Sequence, residues 1–364
     1  MGKRLIYILL LILAVTACEE IYNPVLDNVG KVLAVEAILV SNQDTNYIRL
    51  EESKEFNDES KNYDPVTGAD VYLMDDNNVK TLCAEDAPGE YLVNLQMQSG
   101  EKYYLSIEAG GETYKSGWQE VPEKPVIDSI YPGIGTRTIT AGTANSTENI
   151  ITEKGIQIYA DMTNNGKLQY YRFTARKILQ YINHFDTIFP GAGLPVQMPL
   201  YCWDSYYPTG LFNIAGPPEY STVNNITKHP LNFFENNYNK YIPDTVLFFG
   251  WIYFVYQYGL NEDTYNYYTD LNSQLDAQGK IFDPVYIQAK GNISCTSSPG
   301  KVVLGNFEIS SFSETRYYLN YYKDPSEIVT FRKIPYFYDI PEKGAAKIIE
   351  PDFWEQNKRS YPNE

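Results

Sequence analysis

Histidine and cysteine are scarce in this chain of 364 residues, which contains two histidines and four cysteines. Zinc sites usually draw three or four ligands from these residue types, and His184 and His229 are far apart in the sequence. The chain also lacks a Gly-x-Ser-x-Gly elbow, a phosphate-binding loop and a dinucleotide fingerprint. We therefore expect a protein without a metal or cofactor, predict no catalytic residue, and favour a non-enzymatic role.

Basic residues are also in short supply. The chain has 29 Lys and Arg residues against 46 Asp and Glu residues, which gives a net charge of −17. Nucleic acids and anionic lipid surfaces are bound through basic patches, so we expect neither as the main partner. Tyrosine is abundant instead, with 34 copies, and it favours strands and half-buried positions.

One long apolar run stands at the N-terminus. Lys3 and Arg4 precede the apolar stretch Leu5–Val15, and small residues lead to Cys18. A basic head, a short apolar core and small residues before a cut point are typical of a secretory signal, and the cysteine makes it a lipoprotein signal. We expect residues 1–17 to be removed and Cys18 to carry the lipid. The alternatives are an ordinary signal peptide with a chance cysteine, or a short membrane anchor.

No later segment is long and apolar enough for a membrane helix. The closest is Val246–Leu260, which contains Gly250 and Gln257, whereas a membrane helix needs about 20 apolar residues. We interpret this stretch as a buried strand. The lipid is then expected to be the sole membrane anchor.

Short alternating segments separated by turn residues predict a mainly β protein. We expect a lipidated tether over residues 18–30 and an immunoglobulin-like β-sandwich over 31–121, because strands of about five residues with frequent turns are typical of that fold. A stiff Val121–Pro125 connector, with two prolines, marks the predicted boundary. A larger β-rich domain with one helix is expected over 122–364.

Three features are expected in that second domain. Ile156–Met162 and Leu168–Ile178 flank an Asn-Gly pair and predict a β-hairpin. Asn261–Gln278 predicts a helix that begins at a capping asparagine, with an apolar stripe at helical spacing. Residues 183–243 are rich in Pro, Gly, Asn and Tyr and are predicted to be irregular. Long irregular segments are often functional, so a binding surface and an elaborated loop are equally favoured there.

Three cysteines remain after Cys18. Exported proteins permit disulfides, and three thiols make at most one intramolecular bridge. Cys202 and Cys295 both lie in the C-terminal two-thirds of the chain, so we predict that they pair. The alternative is that these two and Cys83 are all small buried thiols.

Several short motifs, in order, resemble the uncharacterised outer-membrane lipoproteins of Bacteroides-type bacteria classed as domain of unknown function 4249. They span nearly the whole mature chain: Cys18-Glu19-Glu20, Val32–Ala37, Val121-Pro122, Ile127–Ile130, Phe282-Asp283-Pro284, Gly291-Asn292-Ile293, Val303–Phe307 and Pro351–Trp354. The chain departs from relatives that often carry extra cysteines, since Tyr336–Lys347 has none.

The resemblance implies a chain that is commonly encoded near TonB-dependent outer-membrane receptors, and it supplies no catalytic residue. Glu19 and Glu20 resemble the acidic signal for export to the outer face of the outer membrane. We therefore expect a surface-exposed lipoprotein that assists a TonB-dependent receptor in capturing an unidentified nutrient. One alternative is a structural or adhesive surface protein. Another is a surface hydrolase, which would require clustered carboxylates in a deep cleft of the C-terminal domain.

Overall fold

The structure, a computed structural model, describes residues 31–53, 64–141, 149–163, 169–187, 196–217, 225–235, 247–277, 289–321, 328–334 and 346–347. The mainly β fold with one helix that the sequence predicts is confirmed. The elements are β1 Leu33–Val40, β2 Asn46–Glu52, β3 Asp64–Pro65, β4 Asp70–Asp75, β5 Lys80–Ala87, β6 Glu90–Val93, β7 Lys102–Ala109, β8 Glu112–Ser116, β9 Gln119–Glu120, β10 Ser129–Ala141, β11 Asn149–Met162, β12 Tyr170–Thr187, β13 Val196–Tyr206, β14 Asn213–Ala215, β15 Ile226–Glu235, β16 Leu247–Leu260, α1 Glu262–Ala277, β17 Ile293–Cys295, β18 Val303–Tyr321, β19 Ile328–Ile334 and β20 Ala346–Lys347.

The first sandwich consists of two sheets that share strand β5. One sheet has the order β5–β6–β2–β1–β18, with β3 on β2, and the other has the order β5–β4–β7–β8–β17, with β9 on β7. Alternate residues of each strand point between the sheets. Leu39, Ile48, Leu73 and Ile107 are fully buried in this first core.

The first sandwich takes in residues from beyond the predicted boundary at residue 121. Strand β1 pairs in parallel with β18, from Leu33 opposite Val303 to Val40 opposite Ser310, and β17 pairs with β8. Phe307 and Ile309 are fully buried in the first core. A parallel partner must come from a distant part of the chain, and local periodicity does not reveal it.

Strand β18 continues from the first sandwich into the second. From Ser311 onward it pairs with β16, and the large sheet of the second sandwich has the order β20–β13–β12–β16–β18–β19, with β14 beside the start of β12. Strands β10, β11 and β15 form the facing sheet. Ile156, Ile158, Phe234 and Tyr253 lie in the core between them.

The prediction that Ile156–Met162 and Leu168–Ile178 form a β-hairpin is wrong. Both of its strands exist, as β11 and β12, but they belong to different sheets. The Asn-Gly pair at 165–166 lies outside the described residues. Turn residues indicate where the chain reverses, and they do not specify that the flanking strands pair. The irregular structure predicted for 183–243 is also wrong in its described parts, which contain β13, β14, β15 and the end of β12.

The predicted helix is confirmed as α1, and Gln278, the last residue of the predicted range, lies outside the described residues. Tyr265 and Tyr268 of its apolar stripe are buried, whereas Leu275 is 40% exposed. No helix among the described residues has the length and apolar content to span a bilayer.

Asparagine side chains hold four strand or loop segments in the same two-point way. In each case the amide oxygen accepts from the backbone N–H of another residue, and the amide nitrogen donates to the carbonyl oxygen of that same partner residue. A neighbouring strand would make the same two kinds of contact. The pairs are Asn46 with Val40, Asn42 with Phe312, Asn292 with Phe307, and Asn272 with Phe212. These contacts satisfy backbone groups that otherwise lack a partner strand.

Candidate functional site

The two sandwiches meet at a cleft of about 720 Å³, the junction cleft. It is lined by the turn Ser99–Gly100 of the first sandwich, by the connector with its neighbours Glu120 and Val126, by Asp128 and Thr163 next to β10 and β11, by the start of β12 at Gln169–Tyr171, and by the passage from β16 into α1 at Gly259–Glu262. Its volume is typical of sites for small ligands, which often lie between domains.

Hydrogen bonds fix the start of α1 to strand β9 of the first sandwich. The buried Gln119 side chain donates to Asp263 Oδ2 at 3.2 Å and accepts from Thr264 Oγ1 at 3.3 Å. Asn261 lies at the predicted N-cap position of α1, where its carbonyl oxygen accepts from the Tyr265 N–H at 3.0 Å, and its side-chain Nδ2 donates to the carbonyl oxygen of Glu120 at 2.8 Å. The helix is therefore attached to both sandwiches.

The connector lies against β16, and a glycine permits the close approach. A Cβ at Gly259 would lie 2.9 Å from Ser311 Oγ and 3.3 Å from the Glu123 carbonyl oxygen. Ser311 Oγ itself donates to that carbonyl at 2.6 Å. The walls of the junction cleft are thus held in place by packing and hydrogen bonds, and the cleft is preformed.

The lining is mainly polar and predominantly acidic. Glu120, Glu123, Asp128 and Glu262 contribute carboxylates, and Lys124 contributes the one ammonium group among the described lining residues. A lining of this charge disfavours anionic ligands.

Two tyrosines from the start of β12 complete the wall. Burial, followed by the negative charge of Asp128 and Glu123, raises the pKa of Tyr171 to about 12, and its hydroxyl donates to Gln169 Oε1. Burial and the nearby Glu262 carboxylate also raise the pKa of Tyr170. Both hydroxyls therefore stay protonated at neutral pH.

A buried ionic cluster lies one residue along β12 from the cleft. Arg172 pairs with Glu308 of β18 at 3.1 Å, and the Tyr268 hydroxyl of α1 donates to the other Glu308 oxygen at 2.7 Å. The Arg172 guanidinium lies 4.3 Å from the ring centroid of Tyr258. This cluster links β12, β16, β18 and α1 directly behind the cleft wall.

The family profile described as a domain of unknown function, DUF4249, matches residues 19–316. This chain belongs to the DUF4249 family. The family resemblance of the sequence is thereby confirmed, and all described residues lining the junction cleft fall within the matched region. The family description names no activity or ligand. A comparison with curated proteins finds no match.

The described residues that line the cleft include none of the predicted site residues of this DUF4249 protein. Cys18 is outside the described residues. Cys202 is on β13, opposite Tyr181. The predicted Cys202–Cys295 bridge is not formed in the structure, because Cys295 is a free, buried thiol on β17, within the core of the first sandwich. Cys83 is a second free thiol in that core, and burial raises its pKa to about 12.

Of the two histidines, His229 belongs to the core of the second sandwich. Its Nε2 lies 2.6 Å from Asn213 Oδ1, its ring packs 5.2 Å from that of Phe173, and burial lowers its pKa to about 4. His184 lies on β12, opposite Pro199. Within the described part of the chain, His, Cys, Asp and Glu side chains form no group of three that could hold a metal ion.

The sequence pattern predicted a binding surface or an elaborated loop within residues 183–243. The described residues that line the junction cleft include none from that range. The signal that points to the cleft is the Val121–Pro125 connector, because ligand sites often lie where two domains meet.

Proposed function

We propose that this protein is a non-enzymatic lipoprotein of the outer membrane that captures a nutrient for a TonB-dependent receptor. The observation that carries the binding role is the junction cleft, which has the size of a small-ligand site and preformed walls. A preformed site loses less conformational entropy on binding than a site that must be assembled. Both sandwiches contribute walls, so the whole β fold serves to present the cleft.

The proposed location rests on the N-terminal sequence. Lys3, Arg4, the apolar stretch after them and Cys18 have the order of a lipoprotein signal. Glu19 and Glu20 follow directly and support transfer to the outer face of the outer membrane. The lipid on Cys18 holds the cleft beside the receptor, which raises the local ligand concentration at the receptor.

Fractionation of cells tests the anchor. Wild-type protein is expected in the outer-membrane fraction, and Cys18→Ser is expected to shift to the soluble or inner-membrane fraction because the thiol that carries the lipid is gone. Cys83→Ser is the matched control, since Cys83 is a free thiol within the first core. Normal outer-membrane fractionation of Cys18→Ser would contradict the proposal.

Purification in mild detergent tests the receptor. The protein is expected to bring with it an outer-membrane β-barrel receptor, whose identity names the nutrient class. A clean preparation without such a partner would count against the accessory role. It would leave the lipid anchor and the ligand-binding cleft to be judged by their own experiments.

An adhesive or structural surface protein is the alternative. Trp118 and Leu82 are exposed on the outer side of the β4–β7 sheet of the first sandwich, and the Trp118 ring lies 4.7 Å from that of Tyr104. Exposed aromatic patches mark contact surfaces. Cells lacking the gene separate the two functions: a growth defect on one nutrient supports capture, and an adhesion defect supports the alternative.

A surface hydrolase is favoured by one observation, the four carboxylates of the junction cleft. Glycoside hydrolases use a pair of carboxyl groups. Incubation of the protein with dextran, xylan and laminarin, followed by measurement of new reducing ends, tests this. Cleavage that is lost in Glu262→Gln and retained in Glu108→Gln, a change at an exposed carboxylate on β7, would establish the hydrolase.

A further inference from the structure

The solvent side of the β5–β4–β7–β8 sheet in the first sandwich is apolar at its centre. Val71, Leu73 and Leu105 are buried in the first core, so the residues that alternate with them along β4 and β7 point to solvent. Leu82 on β5 and Trp118 after β8 lie on the same side. Together these outward residues form the aromatic face: Tyr72, Met74, Leu82, Tyr104 and Trp118.

The side chains of the aromatic face are contiguous. Leu82 lies opposite Tyr72, and Met74 lies opposite Tyr104, on neighbouring strands. The Trp118 ring lies 4.7 Å from that of Tyr104. Leu82 is 58% exposed and Trp118 is 49% exposed. Single exposed apolar residues are normal on a protein surface, whereas a contiguous exposed group marks an interaction site.

Two lysines flank the aromatic face. Lys80 Nζ lies 3.3 Å from the ring centroid of Tyr72, and Lys115 Nζ lies 5.9 Å from that of Tyr104. Neither lysine forms an ion pair with a carboxylate of the described residues, whereas Lys301 pairs with a carboxylate of β8. An ammonium group has three N–H donors, so both lysines are able to receive a carboxylate from another molecule.

The charges on this side of the sheet are arranged in rows across the strands. Tyr72 and Met74 belong to two rows whose charged members are Lys80 and Lys115. The exposed Asp70 and Glu108 lie opposite each other in the next row, as part of a polar rim. Potentials across protein interfaces are complementary. A surface that fits the centre is therefore apolar and places carboxylates opposite the two lysines.

The geometry and the charge disfavour three other occupants of the aromatic face. A saccharide stacks on open, parallel rings, but the Tyr104 and Trp118 rings are inclined at 73° and Lys80 covers one side of Tyr72. An anionic membrane surface is repelled by the net charge of −17. A twofold contact is self-complementary, so a second copy centred on this face would bring the lysines of both copies together.

We propose that the aromatic face docks a partner protein through an apolar segment that carries acidic side chains. Trp118 and Tyr104 are the expected anchors, since tryptophan and tyrosine are enriched among the residues that dominate binding energy. Lys80 and Lys115 orient the partner and speed its association. The inference goes beyond the proposed capture function, because no residue of the aromatic face lines the junction cleft.

Carbodiimide crosslinking of membranes from cells that express the full chain tests the proposed partner. The carbodiimide takes up one water as it condenses a lysine amine and an adjacent carboxylate to an amide. Tandem mass spectrometry is expected to find Lys80 and Lys115 joined to Asp or Glu residues of one other protein. The Lys31–Glu52 pair, at 3.1 Å, is expected to give an internal link in every sample, which controls for the reaction.

Matched variants separate docking from chance collisions. The double variant Trp118→Ser, Leu82→Ser is expected to lower the yield of the intermolecular links about tenfold or more. It is expected to leave the Lys31–Glu52 link unchanged, and that link reports on the fold of the same sandwich. Ile134→Ser removes a 65% exposed apolar side chain from β10 in the second sandwich and is expected to leave both kinds of link unchanged.

Four outcomes overturn the inference. The first is no link from Lys80 or Lys115 in a sample that contains the Lys31–Glu52 link. The second is a link only to the same chain, a second copy, a saccharide or a lipid. The third is an equal yield of links from Lys154, an exposed lysine of β11. The fourth is an equal yield in the double variant and the wild type.

The same spectra identify the linked protein, and this keeps the two proposals separate. A partner other than a β-barrel receptor would support the docking inference and count against the accessory role. Co-purification of a β-barrel receptor without links from Lys80 and Lys115 would support the accessory role and overturn the docking inference.

Discussion

The buried pair of Arg172 and Glu308 gives the sharpest test of how the junction is held. The Arg172 side chain is 11% exposed and that of Glu308 is 1% exposed. In Arg172→Met, the Glu308 carboxylate stays buried without its cation and keeps the hydrogen bond from the Tyr268 hydroxyl. Removal of one member of a buried pair costs about 3–5 kcal/mol of the free energy of unfolding. We expect a loss near the lower end, because the Tyr268 hydroxyl still donates.

The double variant Arg172→Met, Glu308→Leu tests the reason for that loss. With both charges absent, no carboxylate is left uncompensated, and replacement of a buried pair by apolar residues is often neutral or stabilising by about 1–4 kcal/mol. The double variant is therefore expected to be more stable than Arg172→Met alone. Such a result assigns the loss to the uncompensated charge and separates it from lost packing.

Urea unfolding of the mature protein, followed by circular dichroism, measures both changes. Arg49→Met is the matched control. Arg49 is 50% exposed and pairs with Glu36 at 3.3 Å and Glu90 at 2.9 Å, and exposed pairs contribute about 0–1 kcal/mol. The reasoning is refuted if Arg172→Met costs no more than Arg49→Met, or if the double variant is less stable than Arg172→Met.

Three further changes test other contacts, each by urea unfolding. Asn292→Asp removes the amide that donates to the Phe307 carbonyl at 2.8 Å and should cost about 1–3 kcal/mol, whereas Asn77→Asp in an exposed turn should cost little. Gly259→Ala brings a Cβ to 2.9 Å from Ser311 Oγ and should cost about 1–3 kcal/mol; Gly117→Ala, whose nearest atom is 3.8 Å away, is its control. His229 has a folded pKa of about 4 against an ordinary value of 6.5, so the unfolded chain takes up its proton first as the pH falls. The contribution of His229 to the free energy of unfolding is complete above pH 6.5. It should decline by up to about 3 kcal/mol as the pH falls from 6.5 to 4. His229→Gln should show a correspondingly shallower decline, and an identical pH profile for both proteins would contradict the assignment.

Local pattern predicted those elements whose side chains alternate between core and solvent. Leu33, Val35, Ala37 and Leu39 occupy one face of β1 in the sequence, and all four are buried in the structure. Helix α1 was predicted for the same reason, since its tyrosines recur at helical spacing. Burial on one face is a local property, and it is visible in a window of ten residues.

Strand pairing was not predictable in this way. Leu33 and Val303, which lie opposite each other in β1 and β18, are 270 positions apart, and neither segment carries a signal for the other. β11 and β12 are close in sequence yet belong to different sheets. Several residues in the stretch predicted to be irregular, such as Pro199 and Pro230, obscured the strands β13 and β15 that contain them.

The junction cleft was not predictable for a related reason. Glu123 lies in the connector and Glu262 at the start of a helix, and forty-six acidic residues give no ground for choosing this pair from the sequence. Only the folded chain brings them to one cavity. The proline-rich connector indicated the boundary, but not the carboxylates that gather around it.

Strand β18 explains why this boundary holds a fixed cleft where many two-domain proteins have a hinge. A hinge requires a connection of few residues that absorbs a change of backbone angles. Here the connector is accompanied by a second covalent crossing, since β18 pairs with β1 up to Ser310 and with β16 from Ser311 onward. Rotation of one sandwich against the other would break one of these two ladders. A ligand must therefore enter through the open mouth of the cleft, and the specificity of the site depends on the side chains that already face that mouth.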